Sequence, residues 1–564
     1  MERILRAEEP NKKGHVRSIV VAPTKELASQ IYNVLRELLR HHAPSEAILN
    51  PPPSTGEDDE EPPPPPPGPY IIPQALIGGR TKLKEDLETF AELNPNVLIA
   101  TPKRLVEVLQ SPKVIIKRHW FDLLVLDEAD RLLDPNFAGD LQSILQAVPK
   151  ERRTGLFSAS VSEAVNELVR VGMRYPFKIS AKVRSKSGAL DKRTPESLKL
   201  CYVTAKPTHK LPLLRKIMTE TKAEKSIVYV STRAGVDYWN HVLPSVLGTA
   251  VFPLHGDHKA AIRAKNLQRF TDTTKPAILL TTDVLARGID IPEIDLVVQL
   301  DVPSQPKDFI HRCGRTGRAG RRGMAITFLN QGSEEDYVKY LDLQGTKVEA
   351  YPGNISVTDE EAAETIEQIR QTVLQKRELH DRAAKAFVSW VQAYTKTLPA
   401  DIFNIKHIDW AEVGRSWGLL RWPKMPELKR YYPEAVKDRK LELSVPAGVD
   451  LANLAYADKV RESKRIADME ARGRGELPNT TLKGGKAAEM RRRKEKAWSS
   501  QKDAKALREE RRGRKEVRRK AEREGKMTVE EKAKVRELDD MIAKTREEMK
   551  GRMEDDGGFE GFGD

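Results

Sequence analysis

Short apolar runs alternate with longer amphipathic segments along the first 181 residues. Runs of strand length occupy residues 17–22, 97–100, 123–126 and 154–157, and polar residues follow each of them. After the first run, apolar side chains recur at helical spacing, at Leu27, Ile31, Val34, Leu35 and Leu38. Alternating strands and helices are typical of a doubly wound parallel sheet. We therefore predict an α/β domain over residues 1–181.

The same alternation resumes further along the chain. Apolar runs of strand length recur at residues 226–230, 250–254, 277–280, 296–300 and 324–328, with helix-length segments between them. A basic polar stretch at 182–196 precedes these runs and has the composition of a linker. The pattern predicts a second parallel-sheet domain over residues 197–345, and two such domains in tandem define a cleft.

Residues 51–69 interrupt the first domain with a different composition. They contain three prolines at 51–53, an acidic run and six further prolines, Pro62 to Pro67. Proline lacks the backbone N–H that a sheet requires, and an acidic, proline-rich segment buries too little apolar surface to fold. We predict a disordered surface loop and assign it no chemistry.

The composition changes again after residue 345. Residues 346–445 are helical in pattern and hold four of the seven tryptophans, Trp390, Trp410, Trp417 and Trp422. Indole rings fill cores, and they also stack on bases. We predict a packed helical extension in which both uses of the tryptophans stay open.

The net charge of +14 is concentrated near the end of the chain. Residues 483–526 contain 19 Lys and Arg against 8 Asp and Glu, a surplus of 11 within a predicted tail at 446–564. A charged tail of this kind is a solvated helix or a disordered segment, or it attracts the backbone of RNA. Binding of RNA is the functional interpretation.

The cysteine count and the hydropathy indicate the cellular compartment of the protein. Cys201 and Cys313 are too few for a disulfide framework or a four-ligand zinc site. No run of about eighteen apolar residues occurs, and the N-terminus lacks the pattern of a signal peptide. We expect an intracellular protein that does not enter a membrane.

Two polar clusters at strand ends carry the candidate chemistry. Asp127, Glu128 and Asp130 follow the run at 123–126, and residues 311–318 read His-Arg-Cys-Gly-Arg-Thr-Gly-Arg. Parallel sheets bind ligands beyond the carboxyl ends of their strands, and phosphoryl transfer needs carboxylates for Mg²⁺ and water together with cations for the developing charge. Taken singly, the acidic cluster is equally typical of a helix N-cap, and the arginine cluster of a general phosphate or RNA patch.

The two clusters resemble motifs of the DEAD-box family of ATP-dependent RNA helicases, and further motifs follow in order over roughly residues 17–340. The resemblance implies two RecA-like domains, of which the first is incomplete here. It also implies that residues at strand ends contact a sugar-phosphate chain without reading bases. These are Pro23, Thr24, Lys25, Gly78, Gly79, Thr101, Pro102, Arg104, Thr232, Arg233 and Thr282.

The resemblance further implies a site for ATP and Mg²⁺. Asp127 would hold Mg²⁺ through water, and Glu128 would activate the attacking water. The residues that would couple this site to domain closure are Asp130, His311, Ser158 and Ser160. The residues of the second domain that would contact the nucleotide are Asp283, Gly288, Asp290, Arg315 and Arg318, with the two arginines as catalytic cations.

The sequence departs from the family pattern in four places. Lys25 and Lys103 stand where the family usually has Arg and Gly, and Ser160 stands where it usually has Thr. The glycine-rich phosphate loop, Gly-x-x-x-x-Gly-Lys-[Ser/Thr], does not occur in the sequence. That loop grips the β and γ phosphates. We expect it to precede Met1, and we expect a chain that starts at Met1 to hydrolyse no ATP.

The extension and the basic tail resemble those of DEAD-box helicases that assemble the large ribosomal subunit. The resemblance implies precursor rRNA as the substrate, large-subunit precursor particles as partners, a monomer within the particle, and a nucleolar location in the nucleus. The sequence leaves one rival function open, a non-catalytic RNA-binding scaffold without a nucleotide loop.

Overall fold

The computed structural model describes residues 1–6, 12–50, 69–79, 81–158, 173, 175–179, 197–283, 291, 293–318, 320–353, 355–433, 451 and 453–473. The predicted linker at 182–196 and nearly all of the predicted loop at 51–69 lie outside these residues. The basic stretch at 483–526 does so as well. These predictions therefore remain predictions.

The first sheet consists, within the described residues, of five parallel strands in the order β2-β3-β1-β4-β5. The strands are β1 (Ser18–Val21), β2 (Pro73–Leu76), β3 (Val97–Ala100), β4 (Leu123–Leu126) and β5 (Arg153–Leu156). Val21 at the end of β1 pairs with Ala100 of β3 and with Leu126 of β4. The ends of these three strands are therefore level, and the loops that follow them open at one edge.

Helices cover both faces of this sheet. They are α1 (Glu2–Leu5), α2 (Lys25–Leu39), α3 (Ala43–Leu49), α4 (Leu83–Leu93), α5 (Pro102–Leu109), α6 (Ala129–Leu132) and α7 (Pro135–Ala147). Alternate side chains of β3 enter two separate clusters: Leu98 and Ala100 join one, and Val97 and Ile99 join the other. Since side chains alternate between the faces of a strand, a strand buried on both faces has the continuous apolar run seen in the sequence.

The second sheet has seven parallel strands among the described residues, in the order β12-β6-β11-β10-β7-β9-β8. They are β6 (Leu198–Ala205), β7 (Lys225–Tyr229), β8 (Ala250–Leu254), β9 (Ala277–Thr281), β10 (Leu296–Gln299), β11 (Gly323–Asn330) and β12 (Glu349–Ala350). The intervening helices are α8 (Lys210–Thr221), α9 (Arg233–Leu247), α10 (Ala260–Asp272), α11 (Lys307–Cys313) and α12 (Asp336–Leu343). The predicted class, two tandem doubly wound domains, is confirmed.

The C-terminal extension is helical and packs on the second domain. Its helices are α13 (Asp359–Leu374), α14 (Arg377–Tyr394), α15 (Trp410–Ser416) and α16 (Pro426–Tyr431). Its four tryptophans are at most 6% exposed and belong to the same apolar cluster as strands β7, β9 and β10. They therefore fill a core, which was one of the two uses that the sequence left open.

Two predicted boundaries differ from the structure. The second sheet does not end at residue 345, because Glu349 and Ala350 of β12 pair with β6. The tail does not begin at residue 446: the first compact unit extends to Ala457, and the Arg377 guanidinium donates to the carbonyls of Leu451 and Leu454 at 3.0 and 3.1 Å. Backbone pairing and a partly buried cation thus hold segments whose side chains gave no apolar signal.

The second compact unit, residues 458–564, contains the described helix α17 (Lys459–Gly473). Among the described residues, no helix of the protein is both long and apolar enough to cross a lipid bilayer. Cys201 and Cys313 are buried free thiols.

Candidate active site

The end of β4 presents two carboxylates at the loop edge of the first sheet. The Asp127 backbone N–H donates to the Val21 carbonyl at 3.0 Å, and Asp127 Oδ1 accepts the Glu128 N–H at 2.9 Å. Burial raises the pKa of Asp127, and the bond from Glu128 opposes that shift. Glu128 has a φ of 50°, in the left-handed region.

The Glu128 side chain has unused hydrogen-bonding capacity. Its Oε2 atom is buried and has no hydrogen-bond partner among the described residues. Buried carboxylate oxygens are normally satisfied, and leaving one without a partner costs stability. The arrangement fits a site whose missing partner is a ligand, such as a water molecule beside a nucleotide.

A contact between Asp130 and His311 joins the two domains. Asp130 on α6 is 5% exposed, and its Oδ2 lies 3.3 Å from Nε2 of His311 on α11. Ligand-type atoms of Glu128, Asp130 and His311 all lie within 4.8 Å of one another. The two motifs that the sequence separates by more than 180 positions therefore meet, as the resemblance implied.

Two further ion pairs connect the domains, and the sequence analysis did not identify them. Lys307 Nζ lies 2.7 Å from Asp134 Oδ1, and Arg263 Nη2 lies 2.5 Å from Glu26 Oε1. A charged residue at a helix end is so common that neither pair had a signal in the sequence.

The arginine motif is held by its own backbone and by one buried ion pair. Arg315 Nε donates to the His311 carbonyl at 3.1 Å, and Arg318 Nε donates to the Gly314 carbonyl at 2.9 Å. Arg315 therefore lies one turn from the contact between the domains.

Arg312, which the sequence analysis did not select, is completely buried. Its Nη2 lies 2.8 Å from Asp283 Oδ2. Burial disfavours the charge, but the carboxylate of Asp283 outweighs it and raises the pKa of Arg312. The sequence carried no signal for this pair, since neither the burial of Arg312 nor its contact with Asp283, 29 positions away, is visible there.

The remaining coupling and nucleotide residues are only partly described. Ser158 follows β5 and is half-buried, and the carbonyl of the preceding Phe157 accepts the Ala129 N–H at 2.9 Å. Asp283 follows β9 and pairs with Arg312. Three predicted residues, Ser160, Gly288 and Asp290, lie outside the described residues.

The loops after β1 and β3 each begin a helix at the same sheet edge. Pro23 precedes Thr24, which is the N-cap of α2. Thr101 precedes α5, and Pro102 is the first residue of that helix. Backbone N–H groups at helix N-termini are well suited to phosphates.

The loop after β2 completes this edge. Gly79 has a φ of 78°, which favours glycine, and a Cβ atom there would approach Lys25 Nζ to 2.9 Å. The Gly78 N–H points at Thr101 Oγ1 from 3.5 Å. The structure therefore brings together the predicted RNA residues of three loops.

Arg104 differs from its neighbours in this edge. It is 7% exposed, its Nη1 lies 2.8 Å from Asp86 Oδ2, and its Nη2 donates to the Thr81 carbonyl at 2.9 Å. Both ends of its guanidinium fork are thus bonded to protein. The sequence predicted an RNA contact here, whereas the structure shows a residue that ties α5 to the loop after β2.

In the second domain, Thr232 and Thr282 follow the neighbouring strands β7 and β9. Thr232 is the N-cap of α9 and accepts the Gly235 N–H at 3.0 Å. Thr282 is 4% exposed, and its Oγ1 has no hydrogen-bond partner among the described residues. Arg233 is 52% exposed and pairs with Asp257.

A second group of potential metal ligands, Asp237, His255 and His258, lies elsewhere in this domain. His255 Nδ1 accepts the Asp257 N–H at 3.3 Å, so Nε2 carries the proton of the neutral ring and donates to Asp237 Oδ1 at 3.0 Å. These hydrogen bonds account for Asp237 and His255 without an ion.

Four family models match this chain. The DEAD/DEAH box helicase model matches residues 68–168, and the helicase conserved C-terminal domain matches 209–320. Two models of ATP-dependent rRNA helicase SPB4-like proteins match further segments, the C-terminal extension at 376–425 and the C-terminal tail at 456–562.

Curated fungal proteins match almost the whole chain. The ATP-dependent rRNA helicase spb4 of Aspergillus niger is 45% identical over 97% of this chain and 84% of its own length. That of Aspergillus fumigatus is 48% identical with the same coverage. The chain belongs to the Spb4 family of ATP-dependent rRNA helicases. It is accordingly an ATP-dependent RNA helicase with a role in ribosome biogenesis. Membership of this family does not favour the alternative function, a non-catalytic RNA-binding scaffold.

Solved structures show the same fold at lower identity. Mss116p bound to ssRNA and AMP-PNP is 24% identical, with a TM-score of 0.57 over 72% of this chain and 76% of that one. Mss116 bound to ssRNA and UDP-BeF has a TM-score of 0.58 with the same identity and coverage. The two parallel-sheet domains of this Spb4-family chain are thus RecA-like, as predicted.

Proposed function

We propose that this helicase uses ATP with Mg²⁺ to separate short duplexes of precursor rRNA in particles that become the large ribosomal subunit. The observation that carries the proposal is the contact between Asp130 and His311 at 3.3 Å. It holds the carboxylates of one sheet against the arginine motif of the other, which suits a cleft that works by closure.

The residues at this contact divide the work of hydrolysis. When bound, ATP with Mg²⁺ supplies the phosphoanhydride bond whose cleavage drives the cycle. Asp127 would hold Mg²⁺ through water, and the buried Oε2 of Glu128 would accept a proton from the attacking water. Arg315 and Arg318 would place positive charge beside the phosphate during transfer.

The RNA would cross the loop edges of both sheets. Thr24, Gly78, Thr101, Thr232 and Thr282 offer N–H and hydroxyl groups there, and these groups recognise phosphate and sugar but no base. Binding would therefore depend little on sequence, and the particle would supply the specificity. The basic tail would add attraction to RNA that salt screens.

The family models for the extension and the tail support the choice of ribosomal precursors as partners. We propose a nucleolar location, because large-subunit precursors with their rRNA would be found there. Within a particle the protein would act as a monomer, since the carboxylates and the arginine motif both belong to one chain.

Cross-linking in fungal cells tests this proposal. Ultraviolet cross-linking of the tagged full-length protein should recover precursor rRNA of the large subunit, and the protein should cosediment with large-subunit precursors. Glu128→Gln should trap the protein on these particles and block rRNA processing. Glu92→Gln, the same change at an exposed position of α4, should do neither.

Two results would contradict the proposal. Cross-links concentrated in small-subunit rRNA or in messenger RNA would reject the substrate. Normal growth and rRNA processing with Glu128→Gln would show that hydrolysis is dispensable, and the protein would then act as a scaffold.

A further inference from the structure

Asp301, the second residue after β10, contacts three functional parts of the molecule. Its Oδ2 accepts the Ser231 N–H at 2.8 Å, its Oδ1 accepts the Trp390 indole N–H at 2.9 Å, and its carbonyl accepts Arg312 Nη1 at 2.6 Å. One residue thus bonds to a strand-end loop, to the extension and to the arginine motif.

The sheet order explains why one aspartate reaches all three. Strand β10 lies beside β7, and β7 lies beside β9. Ser231 follows β7 and directly precedes Thr232 and Arg233 of the proposed RNA edge. Arg312 bonds to Asp301 on one side and to Asp283, which follows β9, on the other. The loops after three neighbouring strands are therefore linked through two residues, Asp301 and Arg312.

Trp390 approaches this group from helix α14 of the extension. Its side chain is 6% exposed, so its position is set by packing, and the indole N–H is its only hydrogen-bond donor. Two other bonds hold the same end of the helix on the second domain. Tyr394 donates its hydroxyl to Glu334 Oε1 at 2.8 Å, and the Leu398 N–H donates to the Ser304 carbonyl at 3.2 Å.

We infer that Trp390 and Asp301 are positioning residues through which the docked extension orients both Arg312 and the loop that carries Thr232 and Arg233. A carboxylate whose two oxygens accept from fixed donors cannot rotate without breaking a charge-assisted bond. The Asp301 carbonyl is held with it, and Arg312 in turn fixes the motif that contains Arg315. This inference rests on the proposed function, because it assigns the extension a part in RNA-stimulated hydrolysis.

The extension contains a matched control for this test. Trp422 is 3% exposed, and its indole N–H is buried without a hydrogen-bond partner among the described residues. Trp390→Phe and Trp422→Phe therefore remove the same atoms from the same helical module. Only the first removes a bond to Asp301.

The experiment compares these two variants in the full-length protein with poly(U) RNA. Trp390→Phe should lower the kcat of RNA-stimulated ATP hydrolysis by about two- to thirtyfold, the range for residues that couple two sites. It should also raise the RNA concentration for half-maximal stimulation, and it should leave the KM for ATP nearly unchanged. Trp422→Phe should match the wild type in all three quantities. Unfolding midpoints, measured for both variants, distinguish a loss of coupling from a general loss of stability.

A second readout does not depend on catalysis. Hydrogen exchange of peptides that cover α11 and residues 229–233 should accelerate in Trp390→Phe and not in Trp422→Phe. Asp301→Asn should give the same pattern, because one of its two acceptor oxygens becomes a donor facing a donor.

Each outcome bears on one proposal at a time. Equal exchange and equal kcat in the two tryptophan variants would overturn the role of Trp390. A wild-type protein without RNA-stimulated hydrolysis would count against the proposed function, and the exchange measurement would still decide whether Trp390 orients α11.

Discussion

The buried pair of Arg104 and Asp86 offers a test of whether Arg104 has a structural role or contacts RNA. Arg104 is 7% exposed and Asp86 is 4% exposed, with 2.8 Å between Nη1 and Oδ2. Arg104→Met would leave a buried carboxylate whose remaining side-chain partner among the described residues is the Thr81 hydroxyl. Removing one partner of a buried ion pair costs about 3–5 kcal/mol, whereas replacing both partners by apolar residues is often neutral.

The cost can be measured locally by hydrogen exchange of peptides from α4 and α5. If these helices open together, about 3–5 kcal/mol corresponds to exchange that is roughly a hundred to several thousand times faster, since about 1.4 kcal/mol is a factor of ten. Arg104→Met should show this acceleration. The double variant Arg104→Met with Asp86→Leu should return most of the protection.

RNA binding then decides between a structural and a direct role. A lost phosphate contact lowers the slope of log affinity against log salt by about 0.7 for single strands. The double variant should keep the wild-type slope, because the Arg104 fork faces protein, and Lys25→Met should lose about 0.7. A protected double variant with a reduced slope would refute the reasoning and would assign Arg104 to the RNA.

Three other changes test separate parts of the molecule. Glu128→Gln should keep RNA and nucleotide binding and reduce turnover of the full-length protein by a factor of roughly a hundred or more; unchanged turnover at saturating RNA would remove Glu128 from its role. Truncation after Asp458 should weaken RNA binding uniformly and flatten its salt dependence, so an identical slope would exclude the tail from binding. Asp283→Asn leaves the guanidinium of Arg312, which is 0% exposed, without its charged partner. It should destabilise the second domain by about 3–5 kcal/mol, whereas Asp257→Asn, at an exposed pair, should cost at most about 1 kcal/mol by thermal unfolding.

Much of the fold could be predicted because strand ends in a parallel sheet share one edge. The run Val97 to Ala100 is buried on both faces, and such a strand has no polar position to obscure its pattern. Once the strands are assigned, polar residues after them must lie near one another. For this reason Thr101 and Asp127 are expected at the same edge of the first sheet, although a helix and a strand separate them in the sequence.

Side-chain partners could not be predicted in the same way. A guanidinium fork binds phosphate and carboxylate with the same geometry, so the motif around Arg104 could not reveal that Asp86 occupies it. The predicted end of the second domain differs from the structure for a related reason. Glu349 and Ala350 join the sheet through backbone groups, which every residue type possesses.

The link between the extension and the arginine motif shows where prediction from sequence ends. Trp390 follows Asp301 by 89 positions, and its packing alone is what the apolar pattern of α14 predicts. The indole N–H adds a directional requirement, because a buried donor must meet an acceptor. That acceptor is the Asp301 carboxylate, which also accepts the Ser231 N–H, and the carbonyl of the same residue accepts a hydrogen bond from Arg312. A helix that packs to bury apolar surface therefore also fixes polar geometry at the strand ends. The apolar pattern does not distinguish Trp390, whose indole N–H binds Asp301, from Trp422, whose indole N–H has no partner among the described residues.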